Sequence, residues 1–300
     1  ESGRAVAAHH SVLVVDLFGS IQKDRESSLL WPDKEDPRVV QQLFEIREGL
    51  NKRNRREFLH DAQELKEEAQ SMFDLGLLDL KMKAKVETLY WQIATRVAAL
   101  FQGSRVMPDE IKELQKEVCD QYLCNFSVFQ SLLDHWALGQ LFPIVPIHRL
   151  NEAPTRQGIL VDITCDSDGK ISKFIDLQDV RDMLPLHPMN GKPYYLGIFL
   201  VGAYQDIMGD LHNLFGRVNE VHVYLDPDEE SGYYIEEIIE GSTIEQVLGM
   251  TQYDSKELVR KVKVQVDQAI KEDRVKPNEG MRLLDEYEKG LKNYTYLDFG

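Results

Sequence analysis

Residues 158–175 read Gly-Ile-Leu-Val-Asp-Ile-Thr-Cys-Asp-Ser-Asp-Gly-Lys-Ile-Ser-Lys-Phe-Ile, and this pattern organises the middle of the chain. An apolar run that ends at Thr164 is joined through Asp168-Gly169 to a second run that ends at Ile175. Asp-Gly between two such runs favours a β-hairpin, because Gly adopts the required positive φ at little cost. The stretch therefore predicts two antiparallel strands and places Cys165 where the first strand ends.

Short strand-like runs also lie on both sides of this hairpin. Prolines recur from Pro143 to Pro193 and exclude long helices between them. A second hairpin is predicted where the turn 226–232 joins two runs rich in Val, Ile and Tyr. A small antiparallel sheet or barrel would close so many short strands. The remaining predicted strands span 142–148, 194–204, 220–225 and 233–239.

Helical patterns flank this region. Apolar residues recur at helical spacing from Trp31 to about residue 103, and another helix begins near Pro108, which predicts a bundle of about four helices. Asp33 and Asp36 are plausible helix starts. The tail contains two candidate capping boxes, Ser242-x-x-Glu245 and Asp254-x-x-Glu257, and a last helix over 277–291. At the other end, residues 5–18 with Val12-Leu-Val-Val15 predict one buried strand.

Composition narrows the function classes. The chain has 300 residues, 43% of them hydrophobic, and a formal charge of -16, which argues against nucleic-acid binding because phosphate contacts need clustered Lys and Arg. The longest apolar run, 195–203, is too short to span a bilayer. Three scattered cysteines favour a reducing compartment and hence the cytoplasm. The start at Glu1, without Met or a signal segment, resembles the interior of a longer protein.

Cys165 is the first candidate for chemistry. A rigid strand can aim a thiol at its end into a cleft. Asp166 and Asp168 beside it would oppose thiolate formation, which favours a neutral thiol as proton donor over a nucleophile. The structural alternative is a small, half-buried hydrophobe in a turn whose aspartates favour Asp-Gly geometry. Spacing alone leaves both open and gives more weight to the structural alternative.

Three other places carry candidate side chains. Glu1-Ser-Gly-Arg4 places a carboxylate and a guanidinium around a Gly, and a guanidinium suits phosphate because it binds oxygens two at a time. Tyr204 ends the most apolar strand, although a Tyr there usually only packs at an interface. Asp210 and His212 could bind a metal or substrate group, but helix capping explains them as well.

Taken together, these motifs resemble the ornithine, diaminopimelate and arginine decarboxylases of the alanine-racemase-like fold. Within that family they look most like the large biosynthetic arginine decarboxylases, and the likeness covers nearly the whole chain, helical insertion included. Ser2 departs from the Pro that the shorter ornithine enzymes tend to have. The matching stretches are 1–4, 141–146, 164–170, 184–188, 193–197, 199–205, 209–216 and 294–297.

The resemblance implies an α+β chain that contains the end of an α/β (TIM-like) barrel, an antiparallel β-barrel or sheet domain, an inserted helical bundle and a helical tail. It implies that residues 1–18 hold the last barrel strand and a crossover strand. Residues 19–120 would form the bundle, 121–240 the β-barrel and 241–300 the tail. The Lys that forms the Schiff base with pyridoxal phosphate would lie in an amino-terminal barrel half outside this chain, so the chain alone should be inactive.

The same resemblance implies residue roles. Glu1 would contact the cofactor pyridine nitrogen, and Arg4 and Tyr204 its phosphate. Cys165 would protonate the substrate α-carbon, Asp166 would hold the guanidinium of L-arginine, and Asp168 is a weaker substrate-binding candidate.

Cys165 and Asp166 would reach into a neighbouring subunit's site, so the resemblance also implies a homodimer or tetramer. It further implies Mg2+, for which the sequence offers no ligands. The expected reaction is decarboxylation of L-arginine to agmatine in putrescine and spermidine synthesis. The alternative is an inactive relative that regulates polyamine enzymes by dimerising with them.

Overall fold

The computed structural model describes residues 2–23, 30–101, 107–177 and 179–298. They form a helical bundle, a barrel-like sheet and a helical carboxy-terminal region, which confirms the mixed α+β class. Two separate apolar cores, one in the bundle and one beneath the sheet, account for most of the buried hydrophobic side chains.

Residues 2–10 are not extended. Helix α1 covers Ser2–Ala7 and a 3-10 turn covers Ala8–His10, so strand β1 runs only over Val12–Ile21. The prediction of a strand over 5–18 was therefore wrong at its start. The alanines of 5–8 are strong helix formers, whereas the β-branched and aromatic residues that favour a strand concentrate after Ser11.

Four helices form the bundle. Helix α2 begins one residue after Pro37, so neither Asp33 nor Asp36 caps it directly. Asp36 is instead buried, accepts the backbone N–H of Asp33 at 2.8 Å and pairs with Lys85 at 2.5 Å. The bundle helices are α2 Arg38–Gly49, α3 Arg55–Asp74, α4 Leu80–Leu100 and α5 Asp109–Val118.

Short elements follow the bundle and build the sheet. In chain order they are β2 Asp120–Cys124, α6 Val128–Ser131, α7 Leu133–Leu138, β3 Ile144–Pro146, β4 Arg156–Val161, β5 Lys170–Ile171, β6 Phe174–Ile175, β7 Val180–Arg181, β8 Leu184–Leu186 and β9 Tyr195–Phe199. The seven-stranded sheet has the order β3-β9-β1-β2-β4-β5, with β8 also pairing with β4. β2 and β4 pair in parallel, and the other pairs of this sheet are antiparallel.

The predicted central hairpin is present. β4 pairs antiparallel with β5 through Leu160 opposite Ile171 and Val161 opposite Lys170. β2, by contrast, was missed, because five residues that include one Asp, one Gln and one Cys at the end of a helical region carry little strand signal. It joins β1 to β4 and so places the segment after it beneath the hairpin loop.

The carboxy-terminal part agrees closely with its sequence pattern. One helix start differs from the prediction, since Thr243, and not Ser242, caps α8 and forms the capping box with Gln246. Ser242 is instead buried and accepts the backbone N–H of Arg217 at 3.0 Å. None of the helices in the described segments has the length and apolarity needed to cross a membrane. The elements are β10 Glu220–Leu225, β11 Tyr233–Ile239, α8 Ile244–Met250, α9 Ser255–Lys271 and α10 Pro277–Leu291.

Candidate active site

The loop between β4 and β5 is organised by a buried carboxylate. Asp162 accepts the backbone N–H of Val128 at 2.8 Å, the backbone N–H of Thr164 at 2.8 Å and the Thr164 hydroxyl at 2.7 Å. Burial raises the pKa of the Asp162 carboxyl, against the lowering effect of these donors. Asp162 therefore ties the loop to the start of α6. In the sequence, the indication of this role is a single Asp between apolar residues.

Gly169 lets the loop close over Asp162. A Cβ on Gly169 would lie 2.2 Å from Asp162 Oδ1 and 2.5 Å from Thr164 Oγ1, and the Gly169 carbonyl accepts the Asp162 N–H at 2.8 Å. Because both side chains are held by other hydrogen bonds, neither can move away cheaply.

Gly169→Ala is therefore expected to lower the free energy of unfolding by about 1–3 kcal/mol, the usual cost of overpacking a tight site. Urea denaturation would measure it. Gly249→Ala is the matched control, because its Cβ would meet nothing within 4 Å in α8, where Ala is favoured over Gly. Equal stability of the two variants would contradict the tight packing around Asp162.

Cys165 lies in this loop and is exposed to solvent, whereas Cys119 and Cys124 are buried. Its backbone N–H donates to Asn213 Oδ1 at 3.0 Å, and its Sγ lies 3.4 Å from the same oxygen. The thiol is therefore accessible to a ligand and also held by one side chain. No local sequence pattern indicates the Asn213 contact, because 48 residues separate the partners.

The two aspartates after Cys165 have separate surroundings. Asp166 Oδ1 accepts the backbone N–H of Asp168 at 2.8 Å, while its Oδ2 lies 3.7 Å from His212 Nε2. Asp168 Oδ2 accepts the indole N–H of Trp136 at 3.3 Å. Asp168 thus links the loop to α7 in addition to serving the turn, and Asp166 keeps a carboxylate oxygen available next to an imidazole.

An aromatic cluster supports the loop from below. Phe129 on α6 packs edge-on against Trp136 with ring centroids 5.2 Å apart and against the ring of His212 at 4.4 Å. Asp210 donates its backbone N–H to the Phe129 carbonyl at 3.0 Å. His212 and Asp210 are therefore explained by packing. Within the described ranges, no group of three or more His, Cys, Asp or Glu side chains is arranged to hold a metal ion.

Arg4 and Tyr204 form a second group. The Arg4 guanidinium lies over the Tyr204 ring, 5.2 Å from its centroid, and a Cβ on Gly3 would lie 3.3 Å from the Tyr204 hydroxyl. Tyr204 itself has a φ of 69°, a conformation that a bulky residue adopts only when its neighbours enforce it. The structure therefore brings two of the predicted phosphate-binding residues together. Glu1 lies outside the described residues.

A buried pair missed from the sequence holds this second group. Asp134 on α7 accepts Arg4 Nη1 at 2.8 Å and Gln205 Nε2 at 2.8 Å, and the Gln205 Oε1 accepts the Asp134 backbone N–H at 3.1 Å. Gln140 also contacts Arg4 Nη1. Asp134 and Gln205 are both almost fully buried. Asp134 binds Arg4 directly and Gln205 holds Asp134, so the pair fixes the Arg4 side chain over the Tyr204 ring.

The two groups contact different residues of α7. Trp136 donates to Asp168 on the loop that carries Cys165, while Asp134 binds Arg4. In the parts of the chain that the structure describes, no hydrogen bond or ion pair joins Cys165 to Arg4 or Tyr204. The two groups are therefore held separately, and α7 contacts both.

Comparisons with known proteins identify two family domains in the chain. Residues 33–115 match the arginine decarboxylase helical bundle domain, and residues 244–297 match the arginine decarboxylase C-terminal helical extension. The chain is similar to curated biosynthetic arginine decarboxylases of Nostoc sp., 48% identical over 99% of this chain and 43% of the relative, and of Phocaeicola vulgatus, 45% identical over 99% and 47%.

A solved structure shares the fold. The crystal structure of the biosynthetic arginine decarboxylase of Campylobacter jejuni superposes with a TM-score of 0.80 at 32% identity, covering 98% of this chain and 47% of that chain. The chain spans a little under half the length of the relatives it matches. On these matches, the chain carries two arginine decarboxylase domains and is similar to biosynthetic arginine decarboxylases over nearly its whole length.

Proposed function

We propose that this chain contributes to the pyridoxal-phosphate-dependent decarboxylation of L-arginine to agmatine and carbon dioxide, in the cytoplasm, for polyamine synthesis. The observation that supports it most is the exposed Cys165 thiol, held by Asn213 and followed directly by the Asp166 carboxylate. That pair offers a proton donor and a guanidinium acceptor within two residues. The similarity to biosynthetic arginine decarboxylases supplies the substrate class.

The described residues suit the phosphate of the cofactor. Arg4 and the Tyr204 hydroxyl supply charged and neutral donors, and Gly3 leaves space beside that hydroxyl. Arg4 uses Nη1 for Asp134 and Gln140, and the described part of the chain offers no partner to its Nη2 and Nε. Those two donors remain for phosphate oxygens, in the planar pair that a guanidinium presents. Pyridoxal phosphate, when bound, withdraws the electrons left on the α-carbon by the departing carboxylate.

Each side chain then has one task. Glu1 is proposed to keep the pyridine nitrogen protonated, and Tyr204 and Arg4 to hold the phosphate. Asp166 pairs with the substrate guanidinium, because a carboxylate matches its two parallel N–H groups. Cys165 gives its Sγ proton to the α-carbon after carbon dioxide has left. Asp168 is proposed mainly to position the loop, through its hydrogen bond from Trp136, and only secondarily to bind substrate.

The separation of the two groups favours a shared site between subunits. Cys165 and Asp166 share no hydrogen bond or ion pair with Arg4 among the described residues, so we propose that each site combines the loop of one subunit with Arg4 and Tyr204 of another. This makes a homodimer the smallest active unit, as is general for sites built across a two-fold interface. The Schiff-base Lys is proposed to come from an amino-terminal barrel. Mg2+ remains an expectation of the resemblance without assigned ligands.

The test is to express the complete protein that contains this chain, with pyridoxal phosphate, and to measure agmatine and carbon dioxide from L-arginine. We expect both products in equal amounts. Ornithine and diaminopimelate serve as substrate controls and should give little product, because neither carries a guanidinium for Asp166. A folded, cofactor-loaded protein that releases neither product would contradict the proposal and favour a regulatory relative.

A further inference from the structure

We propose that Asn213 is a positioning residue that holds Cys165 and its thiol proton in place for transfer to the substrate α-carbon. The inference rests on the proposed function, and it assigns a role to a side chain that sequence analysis did not single out. The geometry of two hydrogen bonds and an unusual backbone conformation carry it.

A single oxygen of Asn213 serves both donors of Cys165. Oδ1 accepts the backbone N–H of Cys165 at 3.0 Å and lies 3.4 Å from its Sγ. Since a backbone N–H needs an acceptor, the amide must present its oxygen here and not its nitrogen. The same oxygen can then accept only from a protonated sulfur. Asn213 therefore fixes the position of the residue and also gives the thiol hydrogen a defined direction.

The backbone of Asn213 has a conformation that few residue types adopt readily. Its φ is 54° and its ψ 22°, in the left-handed region, and Leu214 follows with a φ of 63°. Asn enters this region far more readily than most residues, because its short polar side chain bonds locally. The neighbouring His212 is anchored on Phe129, and the Leu214 N–H donates to the Leu211 carbonyl at 2.8 Å. The turn is thus held independently of Cys165.

Two successive residues of this turn lie next to two successive residues of the loop. Asn213 binds Cys165, and His212 Nε2 lies 3.7 Å from Asp166 Oδ2. The turn therefore holds the proposed proton donor by hydrogen bonds and places an imidazole near the proposed guanidinium acceptor. Control of the donor's position within about 0.5 Å is what a proton transfer requires.

The proton transfer balances simply. When carbon dioxide leaves, the electron pair of the broken carbon–carbon bond forms a new C–H bond with the Sγ proton, and the S–H electrons stay on sulfur. Because Cys165 is exposed, solvent returns a proton to the thiolate. If the thiol is misplaced, carbon dioxide still leaves, but in some turnovers the electron pair would take up a solvent proton at the cofactor instead of the α-carbon; hydrolysis would then release an aldehyde in place of agmatine and leave the amine nitrogen on the cofactor. The ratio of agmatine to carbon dioxide therefore reports the positioning directly.

Three variants separate the possible causes. Asn213→Gly keeps the left-handed backbone and removes the acceptor, whereas Asn213→Asp keeps an acceptor oxygen and tolerates the same backbone. Leu214→Gly is the matched control in the same turn, since it removes a side chain that has no acceptor for the Cys165 thiol while keeping its positive φ. All three are to be made in the complete, cofactor-loaded protein.

Asn213→Gly is expected to lower the agmatine-to-carbon dioxide ratio about five- to ten-fold, the equivalent of one lost hydrogen bond. Asn213→Asp and Leu214→Gly are expected to keep a ratio near that of the unsubstituted protein. An unchanged ratio in Asn213→Gly would overturn the inference, and so would an equal fall in Leu214→Gly, because the effect would then belong to the turn.

A second measurement does not depend on turnover. Iodoacetamide alkylation of Cys165, followed by peptide mass spectrometry without arginine, should be several-fold faster in Asn213→Gly, because the thiol and its backbone lose their tether. Buried Cys119 and Cys124 give the background rate. If the unsubstituted protein makes no agmatine, the proposed function fails, but the alkylation rates still decide whether Asn213 holds the thiol. Equal rates would refute that hold.

Discussion

Cys165→Ala should reduce agmatine formation by about 10²- to 10⁴-fold, the usual contribution of a positioned general acid. Carbon dioxide release should fall much less, because Cys165 acts only after the carboxylate has left. Alanine cannot donate a proton, and water is neither held by Asn213 nor placed at the distance that the loop sets. Agmatine by chromatography and carbon dioxide by trapping, measured on the same samples, test the prediction.

The substitution should leave the fold intact. Cys165 is exposed and, among the described residues, the one hydrogen bond of its Sγ is the 3.4 Å bond to Asn213, so the change in the free energy of unfolding should stay within about 0.5 kcal/mol. Cys124→Ala is the contrasting control, because that thiol is fully buried and should cost stability without changing the product ratio. Agmatine output at the unsubstituted level from Cys165→Ala would remove the proton-donor role.

Local patterns predicted a large part of this fold. The Asp168-Gly169 hairpin, the β10–β11 hairpin and α10 follow from turn residues and periodicity that lie within a few residues of one another. Such signals are strong because the turn chemistry and the strand or helix pattern agree. The amino terminus was misassigned for a related reason, since the alanines of residues 5–8 compete with the strand pattern that follows.

The candidate site was predictable only in part. Cys165, Asp166 and Tyr204 stand next to strand ends, where sequence analysis looks for chemistry. Asp134, Asn213 and Gln205 lie in short helices and turns. Each takes its role from a hydrogen bond to a partner that is 48 to 130 residues away in the chain. No local pattern encodes such a distance. Long-range hydrogen bonds of this kind emerge only when the sheet brings the segments together.

Arg4→Met is expected to have the second large effect, because Arg4 has two roles. It is proposed to hold the cofactor phosphate, and it neutralises Asp134, whose side chain is only 4% exposed. Removing one partner of a buried ion pair leaves an uncompensated charge. We expect a loss of about 3 kcal/mol in the free energy of unfolding, at the low end of the usual range because the Arg4 side chain is 27% exposed. Chemical denaturation followed by tryptophan fluorescence would measure it.

A second substitution separates the two roles. Asp134→Asn in the Arg4→Met background removes the stranded charge, while the new amide oxygen can still accept Gln205 Nε2. Stability should then recover by most of the lost amount, but affinity for pyridoxal phosphate should stay low, because the guanidinium is still missing. If phosphate affinity recovered together with stability, Arg4 would act only as the partner of Asp134. If the double variant stayed as unstable as Arg4→Met, the cost would lie in lost packing of the Arg4 side chain on Tyr204 and not in the buried charge.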